Sequence, residues 1–469
     1  MTVKARFAPS PTGFIHVGNL RTAIFTYLIA KQKDGIFMLR IEDTDQGRLV
    51  EGALDAITDT LTQTGLLWDE GPLKGGPDGP YIQSERLFLY QQYANELIDK
   101  GHAYRCFCSE ERLSEQREAA QAKKQTYMYD GFCSRLSNEE INQNLAANKP
   151  FVIRQKTPTT GATRFHCEVY GDITIENELI EDQILLKSDG YPTYNFANVV
   201  DDHLMHITHV VRGNEYLTST PKYTLLYQAF GWQEPTYVHV PLVVKADGKK
   251  MSKRDGDAYY SDFVQKGYLP QAIVNYLSLL GWAPATDQEI YTLEELTKAF
   301  DVSRINTSPA VFDVAKLNWI NAHFIKALDE TTYLEQVLPY ITEKVSEETK
   351  IALAKLFQER LEYLSQIQDH IDGFYRPVQD SETKEFMASA DHQPVLSAFK
   401  SLIESLHDFQ PEFIKQSINE AGAMCGVKGK MLFMPIRIQT TGVMHGPDLP
   451  RSLAILGKDE VLKRLSNEA

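Results

Sequence analysis

The chain has 469 residues, of which 43% are hydrophobic and 24% charged, which indicates a soluble globular protein of several domains. Its net charge of −15 disfavours non-specific nucleic-acid binding, although a local basic face stays open. The five cysteines favour a reducing cytosol over a disulfide framework, and the sequence shows neither a signal peptide nor an apolar run long enough to span a membrane.

The predicted elements begin with a strand, a loop, a helix and a second strand. Residues 3–8 fit a buried strand, and apolar residues recur at helical spacing over 19–34. Gly35 is expected to cap this helix, and residues 36–43 form the next strand. Such a βαβ unit predicts a parallel sheet with ligands beyond the carboxyl ends of its strands, where the stretch FAPSPTGFIHVGN (7–19) lies.

Further along the chain, Ser84 is expected to cap a helix that ends at Gly101. From about residue 102, a polar helical tract and the strand-like run 151–156 indicate an inserted domain, and the chain returns to the first fold near residue 190. After about residue 320 the spacing predicts amphipathic helices. Their apolar sets are Leu334, Val337 and Ile341, and then Leu353, Leu356, Phe357, Leu361 and Leu364.

The loop 7–19 has the features of an anion-binding turn. Neither of the two common glycine-rich phosphate motifs fits it. Gly18 allows a ligand to approach the backbone, the helix start favours an anion, and His16 can donate to a phosphate oxygen. Taken alone, these residues equally fit a tight Pro/Gly turn whose histidine is satisfied by backbone groups.

A second loop, VVKADGKKMSKRDGD (243–257), is strongly basic between two glycines. Such loops are usually solvated, mobile turns. Together with an anion-binding first loop on the same sheet edge, this one is expected to close over a triphosphate and to stabilise charge in the transition state.

These two stretches, P-S-P-T-G-x-x-H-V-G-N and K-M-S-K-R, resemble the signature sequences of class I aminoacyl-tRNA synthetases. Other motifs are similar to those of glutamyl-tRNA synthetases over at least the first 320 residues. One position differs: the first signature commonly ends in a second histidine, where this chain has Asn19. The further motifs are R-x-A-P-S-P-T-G (6–13), R-I-E-D-T-D (40–45), P-Y-x-Q-S-E-R (80–86), L-L-K-S-D-G-Y-P-T-Y (185–194), A-N-V-V-D-D-H (197–203), A-F-G-W (229–232) and V-F-D-x-x-K-L-x-W-x-N (311–321).

The resemblance implies an α/β fold: a Rossmann-like parallel-sheet catalytic domain with an inserted α+β domain, followed by all-helical anticodon-binding domains. It implies a cytoplasmic, monomeric ligase that activates L-glutamate with ATP and Mg²⁺ to glutamyl-adenylate and pyrophosphate, and then transfers glutamate to the 3′-terminal ribose of tRNA(Glu). The implied boundaries are 1–101 and 190–255 for the catalytic domain with its K-M-S-K-R loop, 102–189 for the inserted acceptor-stem-binding domain, 256–322 for a stem-contact domain, and 323–375 and 376–469 for two helical anticodon-binding subdomains.

The same resemblance assigns residues to the site. Catalysis and ATP binding would fall to His16, Asn19, Lys250 and Lys253, with Gly18 beside the adenosine. Arg6 and Arg212 would face the side-chain carboxylate of glutamate, because a planar guanidinium can donate two hydrogen bonds to a carboxylate. Glutamine has a neutral amide at that place and would leave the arginine charge unpaired. The glutamate-binding residues would be Arg6, Ala8, Ser10, Glu42, Tyr194, Asn198 and Arg212, with Glu42 taking the α-ammonium group.

Three cysteines, Cys106, Cys108 and Cys133, have a spacing that fits zinc binding and also fits small buried hydrophobic side chains. Some glutamyl-tRNA synthetases carry zinc here, with a histidine two residues after the third cysteine. This chain has Arg135 at that position, which cannot bind metal, so Tyr129 or a water would be the fourth ligand.

The remaining polar candidates are given structural roles. His203, His206 and His209 are expected to be ordinary residues of the catalytic fold rather than a metal site, and Cys167 and Cys425 to be structural. The acidic pair Asp201 and Asp202 is expected to be polar groups of a helix or turn rather than a Mg²⁺ site.

In the C-terminal part, Arg360 lies where the family can place an anticodon-reading arginine, and it equally fits a solvated helix residue. Lys428 and Lys430 are candidates for phosphate contacts. Three other functions are weighed against the ligase: a nucleotidyltransferase that never binds RNA, a truncated relative that glutamylates a tRNA base, and an inactive RNA-binding module. The long C-terminal part disfavours the first two, and the charged residues of both loops disfavour the third.

Overall fold

The computed structural model describes residues 2–249, 251, 259–378 and 380–466. The chain divides into two compact units, one of Met1–Asp262 with Ile273–Asp313 and the other of Phe263–Ala272 with Val314–Ala469. Lys250 and Lys253, two of the predicted ATP-binding residues, lie outside the described residues. Within those residues, no helix combines the length and the apolar character needed to cross a membrane.

The described residues form eleven strands and twenty α-helices. The strands are β1 (Lys4–Phe7), β2 (Ile36–Leu39), β3 (Ala103–Cys106), β4 (Val152–Gln155), β5 (Ala162–Cys167), β6 (Gly171–Glu176), β7 (Ile184–Leu186), β8 (His209–Gly213), β9 (Thr236–Val240), β10 (Val243–Val244) and β11 (Ala310–Val311). The helices of the first unit and the segment leading out of it are α1 (Val17–Lys31), α2 (Ala53–Gln63), α3 (Leu87–Asp99), α4 (Glu110–Ala122), α5 (Asn138–Ala146), α6 (Tyr194–Leu204), α7 (Thr220–Phe230), α8 (Tyr260–Gln265), α9 (Pro270–Leu279) and α10 (Leu293–Ala299). Those that follow are α11 (Val314–Ala327), α12 (Glu330–Val337), α13 (Glu347–Phe357), α14 (Gln366–Tyr375), α15 (Ser381–Met387), α16 (Gln393–Ser405), α17 (Pro411–Cys425), α18 (Lys430–Thr441), α19 (Leu449–Leu456) and α20 (Lys458–Leu465).

A six-stranded sheet organises the first unit, with the strand order β2-β1-β8-β9-β5-β6. Strand β1 is parallel to β2 and to β8, β8 is parallel to β9, and β9 is parallel to β5. Only the outer pair, β5 and β6, is antiparallel. The predicted Rossmann-like parallel sheet is therefore confirmed.

The chain leaves this sheet between β2 and β8. Strands β3, β4 and β7 form a separate antiparallel sheet, and helices α4 and α5 accompany it, which is the inserted α+β part expected from the sequence. Strands β5 and β6 lie in the same stretch of sequence but join the central sheet.

The β1–α1–β2 unit forms as predicted because α1 buries Leu20, Ile24 and Leu28 completely. The expected role of Gly35 as the helix cap is wrong: the helix ends at Lys31, and Gln32 is its C-cap. A Cβ atom at position 35 would lie 2.3 Å from the Val3 carbonyl oxygen. Glycine is required there because β1 and the turn after α1 approach so closely.

The expected cap at Ser84 is also wrong. Residues Gln83–Arg86 form a 3₁₀ turn, and α3 begins at Leu87. The backbone N–H of Ser84 donates to Asp43 Oδ1 at 2.8 Å, so this segment is fixed by the end of the β2 strand region rather than by its own side chain.

The second unit is helical in its described residues apart from short turns, as predicted. Buried Phe399, Ile403, Ile414 and Ile418 lie on the paired helices α16 and α17. Two of the predicted helical sets extend too far. Ile341 follows a 3₁₀ turn after α12, and Leu361 and Leu364 are buried in turns beyond the end of α13 at Phe357.

Candidate active site

A cleft of about 360 Å³ opens where the parallel strands end. It is lined by Phe7 at the end of β1, Glu42 after β2, Gly213 at the end of β8 and Pro241 after β9. The carboxyl ends of parallel strands are where such sheets bind ligands, so the fold itself indicates the site.

The first loop supplies one wall of this cleft, through His16, Gly18 and Asn19. His16 is the N-cap of α1, and its Nδ1 accepts a hydrogen bond from the Gly18 N–H at 3.1 Å. Because Nδ1 accepts, the proton of a neutral ring must be on Nε2, which makes that nitrogen a donor. The N–H groups and dipole at the start of α1 favour an anion at the same end of the helix.

The described residues on both sides of the second loop lie at the cleft or beside the start of α1. On the upstream side, Val243 of β10 lines the cleft. On the downstream side, Tyr259 pairs with His16, and the Tyr260 N–H donates to the Ile15 carbonyl at 3.0 Å. The described residues that flank the predicted K-M-S-K-R loop therefore lie in the cleft wall, at Val243, and against the first loop, at Tyr259 and Tyr260.

A network of buried charges lies under the cleft floor. Asp202 Oδ1 accepts from Arg6 Nε at 2.8 Å and from Arg40 Nη1 at 2.7 Å. Arg40 Nη2 donates to Glu42 Oε1 at 2.9 Å. Burial would lower the pKa of Arg6, but Asp202 outweighs it and raises that pKa above its usual value. Arg6 is thus held as a cation with its Nε already used.

Glu42 offers an open acceptor to the cleft. Its Oε2 atom is buried and has no hydrogen-bond partner among the described residues. Burial raises the pKa of Glu42 above its usual value, and the attraction of Arg40 and Arg6, which favours the carboxylate, offsets this only in part. A buried carboxylate oxygen in this state is suited to a cationic group of a ligand.

Arg212 is a cation of the cleft that has no carboxylate partner. Its Nε donates to His239 at 3.3 Å, and its Nη2 donates to Thr220 Oγ1 at 3.1 Å. The rings of Tyr216, Tyr223 and Tyr237 surround the guanidinium at centroid distances of 4.5–5.5 Å. Within the described ranges no carboxylate lies at ion-pairing distance from it, so its charge is available to an anionic ligand.

Of the other predicted glutamate-site residues, three line the cleft and one is buried behind its wall. Ala8, Ser10 and Tyr194 line the cleft. Asn198 does not: it is buried one helical turn further along α6, and its amide donates to the Tyr194 carbonyl at 2.9 Å. The amide is therefore placed to hold the backbone that carries Tyr194.

The sequence did not indicate that Asp201 and Asp202 form buried ion pairs with arginines. Both lie on α6 as expected, but they accept from arginines rather than facing solvent. Asp201 binds Arg86 Nε at 2.8 Å and the Tyr90 hydroxyl at 2.7 Å. The only sequence signal was their place in the A-N-V-V-D-D-H motif, opposite the R-I-E-D-T-D motif that carries Arg40.

The three histidines of this region do not form a metal site in the described structure. His203 stacks on Trp232 with ring centroids 3.8 Å apart. His206 is exposed in a turn, and His209 Nδ1 lies 2.8 Å from the Thr208 hydroxyl. His203 and His209 therefore make structural contacts within the catalytic fold. Cys167 is likewise a buried free thiol.

The three predicted zinc-site cysteines do meet. Their Sγ atoms lie within 4.8 Å of one another, and Cys108 and Cys133 are 3.5 Å apart. The Tyr129 hydroxyl is 3.4 Å from Cys106 Sγ and 3.3 Å from Cys108 Sγ. Hydrogen bonding between Cys106 and Cys133 lowers the pKa of the Cys106 thiol to about 4 and raises that of Cys133, so Cys106 is the member of this pair that favours the thiolate. Arg135 instead donates to the Asp130 carbonyl.

In the second unit, the three predicted RNA-contact residues Arg360, Lys428 and Lys430 and the nearby Arg437 have the following surroundings. The Arg360 guanidinium donates to the Gly446 carbonyl, and Arg437 Nη1 donates to the neighbouring Pro447 carbonyl at 2.9 Å. Lys428 and Lys430 are exposed at the start of α18. Burial, with Arg360 nearby, lowers the pKa of Arg437.

Comparisons with known proteins agree with this arrangement. The family described as tRNA synthetases class I (E and Q), catalytic domain, matches residues 2–319, and an anticodon binding domain matches residues 323–468. The chain is 49% identical to the glutamate–tRNA ligase of Clostridium botulinum (strain Okra / Type B1), covering 99% of this chain and 97% of the relative. The corresponding ligase of Clostridium kluyveri is 48% identical, with 99% and 96% covered.

Solved structures give the same result. A crystal structure of a glutamate tRNA ligase from Elizabethkingia meningosepticum, in complex with its amino acid, has a TM-score of 0.87 at 34% identity, covering 100% of this chain and 99% of that one. The enzyme from Elizabethkingia anophelis has a TM-score of 0.89 at 34% identity, with the same coverage. The chain therefore belongs to the glutamate- and glutamine-type class I tRNA synthetases and, among them, to the glutamate–tRNA ligases.

Proposed function

We propose that the cleft at the carboxyl ends of β1, β2, β8 and β9 binds ATP and L-glutamate together and joins them as glutamyl-adenylate. The observation that carries this proposal is one cleft with a helix N-terminus on one wall and, on another, both an open acidic oxygen and a cation without a carboxylate partner. The adenylate would then be attacked by the terminal ribose hydroxyl of tRNA(Glu). Neither step needs a protein nucleophile, because catalysis rests on positioning and on charge stabilisation.

Glutamate binds with its α-ammonium group at Glu42 Oε2 and its side-chain carboxylate at Arg212. Arg6 lines the same cleft but uses its Nε for Asp202, so it adds positive charge from a fixed position. Glutamine fits the same volume but presents a neutral amide, which leaves Arg212 without an anion. A buried charge left unpaired costs about 2–5 kcal/mol, which is enough for strong discrimination.

ATP binds with its phosphates at the start of α1. Gly18 leaves room beside the backbone, and His16 Nε2 donates to a phosphate oxygen as charge develops. Asn19, exposed one residue further on, offers an amide donor in place of the second histidine of the family signature. Lys250 and Lys253 are assigned to the same phosphates by the resemblance, and Mg²⁺ accompanies ATP. The anchoring of the K-M-S-K-R loop at Val243 and Tyr260 supports this assignment.

Zinc is proposed at Cys106, Cys108 and Cys133, with Tyr129 as the fourth ligand. Zn–S bonds of about 2.3 Å place tetrahedral sulfurs about 3.8 Å apart, and the three thiols are already close to that spacing. The phenol oxygen lies on the same cluster, whereas Arg135 points to backbone. The role of the metal would be to fix the β3 end of the inserted sheet.

The test of the zinc proposal is elemental analysis of purified protein. We expect about one zinc per chain, lost in Cys133→Ala and retained in the control Cys425→Ser. Well under one zinc in the unmodified chain would contradict the proposal.

The helical unit is proposed to bind the anticodon arm, with Arg360, Lys428 and Lys430 as its contacts. The match of residues 323–468 to an anticodon binding domain supports this and disfavours both the RNA-free nucleotidyltransferase and the truncated relative. The cytoplasmic location is supported by five free cysteines, and the monomeric state stays a prediction.

The experiment that tests the proposed function is ATP–pyrophosphate exchange. We expect exchange with glutamate in the presence of tRNA, and exchange with glutamine that is weaker by about 30-fold or more. Exchange without RNA would favour the nucleotidyltransferase, and no exchange under any condition would favour an inactive RNA-binding module.

A further inference from the structure

A buried hydrogen-bond chain leads from the cleft into the sheet behind Arg212. It crosses three neighbouring strands: Arg212 is on β8, His239 is its direct partner on β9, and Cys167 is on β5. Side chains at paired positions of a parallel sheet lie on the same face, which brings the imidazole beside the guanidinium. His239 and Cys167 are both completely buried.

The hydrogen bonds fix the tautomer of His239. Its Nε2 accepts from Arg212 Nε at 3.3 Å, so that nitrogen cannot carry a proton. The ring proton is therefore on Nδ1, which lies 3.3 Å from Cys167 Sγ and donates to it. Thr220 Oγ1 accepts from Arg212 Nη2, and its own hydroxyl proton has two acceptors within reach, the Tyr216 carbonyl at 2.8 Å and His239 Nε2 at 3.2 Å.

The ring also stays neutral. Burial lowers the pKa of His239 to about 3, and the adjacent Arg212 acts in the same direction. The described groups that hydrogen-bond to the guanidinium or face it with a ring are therefore uncharged: an imidazole, a hydroxyl and three phenol rings. Of the other buried arginines in the same unit, Arg6, Arg40 and Arg86 are each paired with an aspartate, whereas Arg21 and Arg154 donate to backbone carbonyls.

We infer that His239 is a positioning residue for substrate specificity: its neutral ring fixes the direction of Arg212 without cancelling the charge that glutamate must meet. This inference rests on the proposed role of Arg212. A carboxylate at the same position would hold the arginine equally well but would neutralise it, and the cleft would then no longer require an anionic side chain. The difference between the two outcomes is one of charge, not of shape.

Glutamine and glutamate at position 239 form a matched pair for the test, because they have the same shape and differ in charge. The readout is the ratio of kcat/KM for glutamate to kcat/KM for glutamine in tRNA-dependent exchange. We expect His239→Gln to keep this ratio within about threefold and His239→Glu to reduce it by about 30-fold or more, with the KM for ATP unchanged in both. Equal ratios in the two variants, whether both high or both low, would overturn the inference.

If His239→Glu does not fold, a second pair of variants, His239→Met and His239→Gln, still tests the inference. His239→Met removes the acceptor while keeping the volume, and we expect the KM for glutamate to rise about tenfold with kcat nearly unchanged, an effect that His239→Gln reverses. A methionine variant with the KM of the unmodified enzyme would contradict the role of His239. Failure of the Arg212 assignment has a different signature: Arg212→Ala would keep its preference for glutamate.

Discussion

Asp202 is the single side chain that joins both arginines under the cleft floor. Its Oδ1 atom accepts from Arg6 and from Arg40, and all three residues are buried. Burial alone would raise the pKa of Asp202, but the two arginines prevail and hold it below its usual value of 3.8. A carboxylate with a depressed folded-state pKa contributes stability above its unfolded pKa and loses it as the pH falls through the folded value.

We expect Asp202→Asn to lower the free energy of unfolding at pH 7 by about 3–5 kcal/mol, because it leaves two buried cations without their counter-ion. As the pH falls below about 4 the difference from the unmodified chain should narrow, because the unfolded chain then binds a proton at Asp202, and it should close only once the pH passes below the depressed pKa of the folded state. Denaturant unfolding at pH 7 and at pH 3 measures both effects. The exposed Asp172, paired with His166, provides the control Asp172→Asn, which should change little. A gap that widens on acidification would contradict this account.

At the scale of single residues, the buried ion pairs of Asp201 and Asp202 could not be predicted from the sequence. That Asp201 and Asp202 lie on a helix follows from local spacing. Their ion pairs do not, because Arg6, Arg40 and Arg86 are more than 100 residues away in the chain. No local pattern distinguishes an aspartate that faces solvent from one that folding places against an arginine.

At the scale of the element, helix α1 combines a structural and a chemical role at its first turn. His16 caps the helix through Nδ1, and Nε2 is the ring nitrogen that the proposed ATP site assigns to the phosphates. The two roles can be separated, because asparagine is among the best N-cap residues and alanine is among the poorest.

We expect His16→Asn to keep the thermal stability of the unmodified chain while kcat for exchange falls by about 100- to 1,000-fold, as when a transition-state donor is removed. His16→Ala should lose the same activity and about 1 kcal/mol of stability in addition. Calorimetry and exchange kinetics on the two variants measure the separation. Near-normal exchange in His16→Asn would show that the imidazole has no part in the chemistry.

Elements were predicted well where the signal was local. The β1–α1–β2 unit follows from apolar spacing, since Leu20, Ile24 and Leu28 are buried as that spacing predicts, although α1 also buries residues on its other sides. The cap at Ser84 was wrong because its backbone binds Asp43, 41 residues earlier. The apolar set ending at Leu361 and Leu364 kept its burial but not its helix, because hydrophobic spacing records burial and not the conformation of a turn.

At the scale of the whole molecule, a chain with a net negative charge has to bind tRNA, which is itself strongly negative. The net charge of −15 makes RNA binding depend on local basic groups, and the helical unit exposes Lys428 and Lys430 beside each other at the start of α18. The fold of this unit brings Arg360 and Arg437 to the same loop, residues 446–447.

We expect the double variant Lys428→Ala with Lys430→Ala to raise the KM for tRNA and to reduce its salt dependence by a slope of about one to two, one for each phosphate that no longer meets a lysine. The KM for glutamate should not change. Aminoacylation measured across a salt series gives the slope. The control Lys298→Ala removes a lysine that is already paired with Glu294 and should leave the slope unchanged. Identical slopes for both variants would remove these lysines from the RNA surface.

The measurement that tests the account most directly is steady-state exchange by Arg212→Ala. We expect kcat/KM for glutamate to fall by about 30-fold to several-thousand-fold, corresponding to about 2–5 kcal/mol, while the KM for ATP stays within a few-fold. Such a result would assign glutamate recognition to a buried cation of the described cleft that no protein carboxylate neutralises. Activation of glutamate by this variant at near-normal efficiency would contradict the account.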